Sequence, residues 1–410
     1  MKSIAEIRRD FPLLQRAVAG KPVVYFDNAA TSLRPEAVLE AMDRYYRTSS
    51  ANIHRGKHLL SEEASAFYEG SRQTVANFIN AQTVETIFVR GATEGISLVA
   101  GGLQLQPEEN VVGTVLEHHS NILPWRVYCA YQAAPLRPDG LPDLDAAEAL
   151  INEKTRLITV TLCSNVTGAI VDGKAWAAMA HRHDLPILID AAQCGAHSRI
   201  DVKSMNCDFL VLSGHKMCAP TGAGVLYGKQ KELEALKPAS LGGGTVNRVF
   251  SDYTYELRDL PWRLEPGTPD IAAVIGLGAA VRYLEGLGLD WIEARGDALR
   301  DVLDEHLSRF AGLRLCNPAA GVKRTSLASF TLRGERLTSD YITRLLSDTY
   351  GIMVRGGHHC AHPLHEVLGF ASGSVRVSLQ FYNTEEEISR LSEALSAIQR
   401  LIAVGGRVGI

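Results

Sequence analysis

Short, almost wholly apolar segments alternate with longer amphipathic segments between residues 80 and 230. Four of the apolar segments are ETIFVR, TRLITVTL, LPILIDA and CDFLVLSGHK. Segments this short and this apolar are typical of parallel strands that are buried on both faces, and the amphipathic stretches between them predict crossover helices. The pattern therefore predicts a doubly wound, mostly parallel α/β domain.

The pattern changes after the segment PWRLEPGTPD. Long helical patterns follow at 270–310 and 384–403, and the strand-like segments TSLASFTL, GIMVR and SVRVSLQF lie between them. One hydrophobic core stops growing near about 250 to 300 residues, so a chain of 410 residues is expected to form two domains. We expect a large α/β domain at 16–265 and a smaller α+β domain at 266–410, which residues 1–15 join.

Charge and composition exclude several classes of function. The chain carries 42 basic and 46 acidic side chains, a formal net charge of -4, and no run of lysine or arginine. A nucleic-acid surface is therefore not indicated, and a small-molecule substrate is favoured. The opening MKSIAEIRRDFPLL lacks the apolar core of a secretory signal, and no segment approaches the ~20 apolar residues of a membrane helix. We expect a cytoplasmic protein.

The seven cysteines are widely spaced and include no CxxC pair; they stand at positions 129, 163, 194, 207, 218, 316 and 360. An odd number at such spacing predicts neither a disulfide framework nor a cysteine-based zinc module. Most of these thiols are expected to be small core residues in a reducing compartment.

Polar side chains end two of the predicted strands. Asp190 ends LPILIDAAQ, and Ser213, His215 and Lys216 end FLVLSGHKM. Ligands of open α/β sheets bind beyond the carboxyl ends of the strands. Taken singly, Asp190 could cap a helix and Lys216 could lie on the surface. Together they suggest pyridoxal phosphate, because a lysine forms the Schiff base and an acid pairs with the pyridinium nitrogen.

Two further segments could complete such a site. In FVRGATEGISL a predicted strand ends at Gly91-Ala92-Thr93 and a helix begins, which leaves free backbone N–H groups for a phosphate, although Thr93 could simply cap the helix. In LEHHSNILPW, His118 follows another predicted strand. Its imidazole could stack on a pyridine ring and carry protons, or it could be a hydrogen-bonded structural residue.

The segment VRGGHHCAHP, residues 354–363, allows three interpretations of Cys360. A metal site would use Cys360 with the neighbouring histidines at 358, 359, 362 and 365, but the paired spacings of structural zinc sites are absent. Burial of Cys360 in a core is disfavoured by its neighbours, which are typical of a mobile, polar loop. A nucleophilic thiol requires access and positive neighbours, which Arg355 and the histidines can supply.

The motifs FDNAATS, NIHRGKHLLS, EHHSNILPW, DAAQ, SGHKMCAPTGAGVLYG, EPGTP and RGGHHCAHP follow one another along nearly the whole chain. In this order they resemble the group II cysteine desulfurases, of the SufS and CsdA type, in the class V aminotransferase superfamily. The segment around Cys360 is the most diagnostic motif. The resemblance implies a fold-type I enzyme that depends on pyridoxal phosphate and acts as a homodimer.

The resemblance also implies a role for each matching residue. The catalytic residues are Lys216, which bonds covalently to the cofactor, Cys360 as nucleophile and His118 as proton carrier stacked on the ring. The other cofactor-binding residues are Asp190 at the pyridine nitrogen, Gln193 at the ring hydroxyl, Ala92, Thr93, Ser213 and His215 around the phosphate, and Thr268 from a second subunit. The substrate-binding residues are Asn165, Arg355, Arg376, His54 and Ala29, with Arg376 on the carboxylate; no metal ligand is expected.

The implied reaction converts L-cysteine to L-alanine and leaves a persulfide on Cys360 for a sulfur acceptor. Iron-sulfur cluster assembly is one destination of such sulfur. No histidine lies between positions 307 and 357, which favours a SufE-like acceptor over a zinc-exchanging one. Two enzyme alternatives stay open: a selenocysteine lyase, and a class V aminotransferase-type lyase or epimerase for which Cys360 is dispensable.

Three residues depart from the family pattern. Ala92 stands in GAT where many relatives have GTT, which removes one hydroxyl from the phosphate site and leaves the backbone donors in place. Cys163 replaces an aliphatic residue before Ser164-Asn165, and Cys194 follows Gln193. Both thiols are expected to be small core residues.

Overall fold

The structure is a computed structural model that describes residues 2–18, 20–332 and 338–403, so Met1 and 404–410 of the predicted domains lie outside the described part. Its strands are β1 (Ala17–Val18), β2 (Lys21–Pro22), β3 (Val24–Tyr25), β4 (Thr86–Val89), β5 (Asn110–Thr114), β6 (Ala130–Ala134), β7 (Thr155–Thr161), β8 (Ile187–Asp190), β9 (Phe209–Ser213), β10 (Gly224–Gly228), β11 (Val246–Val249), β12 (Tyr255–Leu257), β13 (Leu313–Leu315), β14 (Leu327–Leu332), β15 (Ile352–Met353), β16 (Arg355–Gly357) and β17 (Ser374–Ser378). Its α-helices are α1 (Ile4–Arg9), α2 (Glu36–Thr48), α3 (Leu59–Phe78), α4 (Ala92–Gly102), α5 (Leu123–Arg126), α6 (Leu144–Ala149), α7 (Gly173–Arg182), α8 (Val202–Met205), α9 (Gln230–Ala235), α10 (Ile271–Leu287), α11 (Leu289–Ser308), α12 (Ser339–Tyr350), α13 (His362–Val367) and α14 (Glu385–Ala403).

The main sheet has seven strands in the order β4-β10-β9-β8-β7-β5-β6. The five strands from β9 to β6 are parallel to one another, and β10 is antiparallel to both of its neighbours. All residues of β8 and β9 are buried, as expected for strands covered by helices on both faces. The predicted mostly parallel α/β fold is confirmed, with β10 as its antiparallel member.

A second sheet of four antiparallel strands, β13-β14-β17-β16, carries the residues near the carboxyl end of the chain. Its strands β14 and β17 were expected from TSLASFTL and SVRVSLQF. The N-terminal segment also reaches this sheet, because β3 pairs in parallel with β15 and Asp27 forms an isolated parallel bridge with Ser378. Side chains such as Val24 and Phe26 are therefore buried in one cluster with those of β14 and β17.

Helix α10 links the two parts of the molecule. Twelve of its seventeen residues are buried, including all of 271–281, and it packs against α2 and α3. The expected boundary at residue 266 assigns α10 to the smaller domain, whereas its packing groups it with α2 and α3 of the large domain. The two-domain division at that residue stays a prediction.

Among the described residues, no single helix is both long enough and apolar enough to cross a membrane. Helices α10 and α11 pass the length and composition test only as a pair, and the pair is bent by 77°.

A buried ion pair joins α3 to the segment that follows β12. Arg72 is fully buried, and its guanidinium donates to both carboxylate oxygens of Glu265, at 2.6 and 2.9 Å, and to the carbonyl of Thr86. Glu265 also accepts from the Phe88 N–H of β4 at 2.6 Å. All of these partners are required because a buried charge is tolerated only when it is paired and hydrogen-bonded.

We expect Glu265→Ala to lower the free energy of unfolding by about 3–5 kcal/mol, because it removes the carboxylate that pairs with both terminal nitrogens of the buried Arg72 guanidinium, leaving only the partly exposed Glu69, and it takes the acceptor of the Phe88 N–H away. Urea unfolding at one fixed protein concentration measures the change. The matched control is Asp43→Ala, which breaks the exposed Arg47–Asp43 pair and should cost less than about 1 kcal/mol. Equal losses in the two variants would contradict the structural role of the buried pair.

Candidate active site

One cavity at the carboxyl ends of the parallel strands collects all but two of the predicted site residues. These are Ala29, Ala92, Thr93, His118, Asn165, Asp190, Gln193, Ser213, His215, Lys216, Arg355, Cys360 and Arg376. The large sheet and its helices supply the residues from Ala92 to Lys216, the segment after β3 supplies Ala29, and the segments around β16 and β17 supply the last three. Residues from both sheets therefore line the cavity.

Asp190 and Lys216 come from adjacent parallel strands, β8 and β9, and this neighbourhood brings them into one cavity. Burial raises the pKa of the Asp190 carboxyl and lowers the pKa of the Lys216 amine. The negative charge of Asp190 offsets part of the lowering at Lys216. One Asp190 oxygen accepts from Ala192 N–H at 2.9 Å. Within the described residues, the other oxygen and the Lys216 amine have no hydrogen-bond partner, so both can bind a ligand.

The start of α4 lines one end of the cavity. Its first residue is Ala92, and the preceding Gly91 offers no side chain to cap the helix. Thr93 is not the cap either; its hydroxyl is hydrogen-bonded to that of Ser120 at 2.7 Å. The Ser213 hydroxyl accepts from Ala92 N–H at 3.0 Å, which ties the end of β9 to the helix start. The N–H groups of Glu94 and Gly95 donate to the Gly91 carbonyl, so within the described residues the Thr93 N–H is the one left without a partner, and together with the helix dipole it suits a phosphate.

Both histidines at this end of the cavity are neutral at physiological pH. Burial lowers the pKa of His118 to about 3, with a smaller contribution from the Lys216 charge, and lowers the pKa of His215 to about 4. The Nδ1 atom of His118 accepts from Ser120 N–H at 3.0 Å. The single ring proton of His118 is therefore on Nε2, from which it can be donated.

Cys360 is the exposed cysteine, and the other six are buried, including Cys163 and Cys194 as expected. Cys360 lines the same cavity as Lys216 and has a positive φ of 57°, as does His359 before it at 52°. Its carbonyl accepts from His119 N–H at 2.8 Å. The thiol is thus held at the mouth of the cavity by backbone contacts rather than being buried.

A chain of hydrogen bonds fixes the residues on both sides of Cys360. His365 Nδ1 lies 2.9 Å from the carbonyl of Ala361 and must donate to it. In the neutral ring its Nε2 then accepts from the Ser374 hydroxyl at 3.0 Å, and that oxygen accepts from His359 Nε2 at 3.0 Å. Burial lowers the pKa of His359 to about 2, which keeps this ring neutral as well.

The segment around Cys360 lies between a short strand and a short helix. Residues 362–367 form α13, and Gly356 belongs to β16. A Cβ on Gly356 would lie 2.9 Å from the Ser339 carbonyl, so this glycine permits close packing against α12. Gly357, with a φ of 105°, is the glycine that the backbone conformation requires. Contacts with α12 and His119 place the segment in this conformation, and its mobility stays a prediction.

The predicted substrate-binding side chains surround one buried guanidinium. Arg376 is only 2% exposed; it donates to the Asn165 carbonyl at 3.0 Å and to Asp27 at 3.2 Å, while its Nε has no partner. Asn165 donates to the His359 carbonyl at 2.7 Å, so it also anchors the Cys360 segment. Gln193 donates to the Ala29 carbonyl at 2.9 Å.

Two predicted residues, His54 and Thr268, lie outside this cavity. They line a second cavity with Arg55 and Trp262. Thr268 is expected to act in a second subunit, so its place in a single chain does not test that expectation. Among the residues described, no three His, Cys, Asp or Glu side chains converge in a geometry that could hold a metal ion.

Several residues that line or contact the cavity were not among the predicted site residues. Ser120, Thr161, Cys163 and His359 line the cavity, and Asp27 contacts two of its arginines. A signal for Asp27 was present, because an acid directly after an apolar strand often faces a ligand site. The partner of His359 is not readable from the sequence, since Ser374 lies fifteen residues away and on another strand.

Comparison with known proteins agrees with this arrangement. Residues 24–391 match the model of the family "Aminotransferase class-V". A probable cysteine desulfurase of Synechocystis is 44% identical over 97% of this chain and 96% of its own length, and a cysteine desulfurase of Klebsiella pneumoniae is 42% identical over 98% and 99%. The chain belongs to the aminotransferase class-V family, and within it to the cysteine desulfurases.

Solved structures support the same grouping. The apo cysteine desulfurase of Thermococcus onnurineus superposes with a TM-score of 0.90 at 36% identity, covering 97% of this chain and 98% of its own. The cysteine desulfurase CsdA of Escherichia coli, solved as an S-sulfonic acid, has a TM-score of 0.88 at 35% identity, covering 98% and 99%.

The depressed pKa of His118 predicts a loss of stability in mild acid. The unfolded chain takes up a proton at this ring near pH 6.5, whereas the folded protein takes it up only near pH 3, so folding weakens as the pH falls through this window. We expect His118→Gln to reduce the slope of unfolding free energy against pH by about 1.4 kcal/mol per pH unit between about pH 6 and 4. Urea unfolding across this range measures the slope.

The control is His183→Gln, which changes a partly exposed histidine that pairs with Glu148. This variant should keep most of the wild-type slope. Parallel curves for wild type and His118→Gln would mean that His118 is not buried as a neutral ring.

Proposed function

We propose that this chain is a pyridoxal phosphate-dependent cysteine desulfurase that converts L-cysteine to L-alanine and holds the released sulfur as a persulfide on Cys360. The observation that carries the proposal is that the exposed thiol of Cys360 and the buried amine of Lys216 line one cavity. The names of the similar proteins support the same reaction.

The residues of the cavity fit pyridoxal phosphate. Lys216 supplies an amine of lowered pKa for the covalent bond, and the unpartnered Asp190 oxygen suits the pyridine nitrogen. The uncapped start of α4 with Thr93 and Ser213 suits the phosphate. The ring face would meet His118. When bound, the cofactor supplies an electron sink for the pair left by bond cleavage at the substrate Cα.

The protein's own groups then move protons and hold the substrate. Lys216 Nζ, which burial favours in its neutral form, accepts the Cα proton as general base. His118 Nε2 carries the proton that it can donate toward the substrate. The Arg376 guanidinium, with its free Nε, binds the substrate carboxylate and aligns the carbon–sulfur bond with Cys360.

The sulfur step balances without another reactant. The Cys360 thiolate attacks the substrate sulfur, so that an S–S bond forms as the substrate C–S bond breaks and its electron pair stays with the carbon fragment. Protons from the substrate and from Cys360 are returned to that fragment, which leaves as L-alanine. L-cysteine and the Cys360 thiol thereby become L-alanine and a Cys360 persulfide.

Partners and location complete the proposal. We also propose a homodimer in which Thr268 of each subunit serves the other subunit's site, and this is supported by the separate cavity that Thr268 and His54 line in their own chain. The exposed position of Cys360 supports delivery of sulfur to an acceptor protein, for which a SufE-like protein is our choice. The cytoplasmic location stays a prediction.

Cys360→Ala should keep the visible absorption of bound pyridoxal phosphate and lose at least about 100-fold in L-alanine and persulfide formation from L-cysteine, because no other exposed thiol of the described residues can replace the nucleophile. Cys129→Ala, which changes a buried thiol outside the cavity, is the matched control and should keep wild-type rates. Undiminished desulfuration by Cys360→Ala would refute the assignment.

Lys216→Ala should remove the covalent cofactor bond. The purified variant is expected to lack the visible band that wild type shows with pyridoxal phosphate, because no other lysine lines the cavity among the described residues. Borohydride treatment followed by peptide mass mapping identifies the modified lysine in wild type. Modification of a different lysine would contradict the proposed site.

A further inference from the structure

Two arginines of the cavity lie directly opposite each other. Arg355 on β16 and Arg376 on β17 are cross-strand partners in the antiparallel pair. Like charges in this arrangement repel each other; the Arg376 side chain is only 2% exposed, although solvent screens the charge of Arg355, which is 48% exposed. Burial and the Arg355 charge together lower the pKa of Arg376 to about 10. The pair therefore needs a nearby negative charge.

Asp27 supplies that charge from outside the cavity wall. Arg355 Nε lies 3.2 Å from both Asp27 oxygens, and a terminal nitrogen of Arg376 lies 3.2 Å from one of them. No other acidic side chain of the described residues forms an ion pair with either arginine. Asp27 is itself held by the bridge to Ser378 at the end of β17, and both arginines, but not Asp27, line the cavity.

The cluster of Arg355, Arg376 and Asp27 carries a net positive charge. Two guanidinium groups and one carboxylate give +2 - 1 = +1. One donor of Arg376, its Nε, is buried without an acceptor, while Arg355 contacts Asp27 through its Nε alone, which leaves its terminal nitrogens free among the described residues. A single carboxylate therefore satisfies both the charge and the vacant donors of this cluster, whereas a second one would find no uncompensated cation within it.

We propose that Asp27 is a specificity-determining residue that restricts this site to amino acids with a single carboxylate, by holding Arg355 and Arg376 together and cancelling one of their charges. The inference rests on the proposed function only in taking an amino acid as the ligand of the cavity. Asp27 does not line the cavity, so it acts through the two arginines.

The test measures binding rather than turnover. Dissociation constants of L-alanine and L-aspartate for the holoenzyme are determined by isothermal titration calorimetry at one ionic strength. Asp27→Asn keeps the shape of the side chain and raises the cluster charge to +2. We expect the ratio of the L-aspartate constant to the L-alanine constant to fall at least ~10-fold, because the freed guanidinium can pair with the second carboxylate.

Two further variants make the charge argument specific. Arg355→Gln lowers the cluster charge to zero and should raise the same ratio, while Asp27→Asn with Arg355→Gln restores +1 and should return it toward wild type. These two also serve if Asp27→Asn alone does not fold. The matched control is Asp43→Asn, which makes the same change in the exposed pair with Arg47 and should leave the ratio unchanged.

The two proposals fail in different ways. A ratio that does not fall in Asp27→Asn, or does not follow the cluster charge across the variants, overturns the role of Asp27 even if L-cysteine is desulfurated. The proposed function fails on a different result, which is desulfuration that survives Cys360→Ala. That result would not change the order of the binding ratios among the Asp27 and Arg355 variants.

Discussion

The site depends on the geometry of neighbouring parallel strands, whose carboxyl ends meet at one edge of the sheet. Because β8 and β9 are adjacent and parallel, a carboxylate that ends one and a lysine that follows the other enter the same cavity. Both groups are buried there, and burial disfavours the charged form of each. An amine that is easily neutralised beside a carboxylate is the combination that a covalent amine chemistry requires.

The second sheet adds what the first cannot supply. Its strands β16 and β17 bring Arg355 and Arg376 to the cavity, and the segment after β16 carries Cys360. Contacts from several parts of the chain hold this segment: Asn165 at the His359 carbonyl, His119 at the Cys360 carbonyl, and the Ser374 hydroxyl between two imidazoles. The Cys360 thiol is therefore accessible, and the backbone that carries it is fixed.

Burial limits which side chains of this site carry a charge. The buried histidines 118, 215 and 359 are neutral because burial lowers their pKa values far below the usual range. The strongest fixed cation in the cavity, Arg376, shares Asp27 with Arg355. Neutral rings can donate or accept a proton in a defined direction, while the remaining positive charge is free for a substrate anion.

The sequence by itself determined the main sheet, the strand ends at Asp190 and Lys216 and the exposure of Cys360, because short apolar runs and the residues that terminate them are local patterns. Family motifs indicated most of the residues that line the cavity. Only the tertiary structure decided that Asp27 bridges two arginines, that Ser374 links two histidines, and that α10 packs on the large sheet's helices although it follows residue 266. These contacts join residues of distant strands and helices, and no local pattern of hydrophobic and polar positions encodes which of them meet.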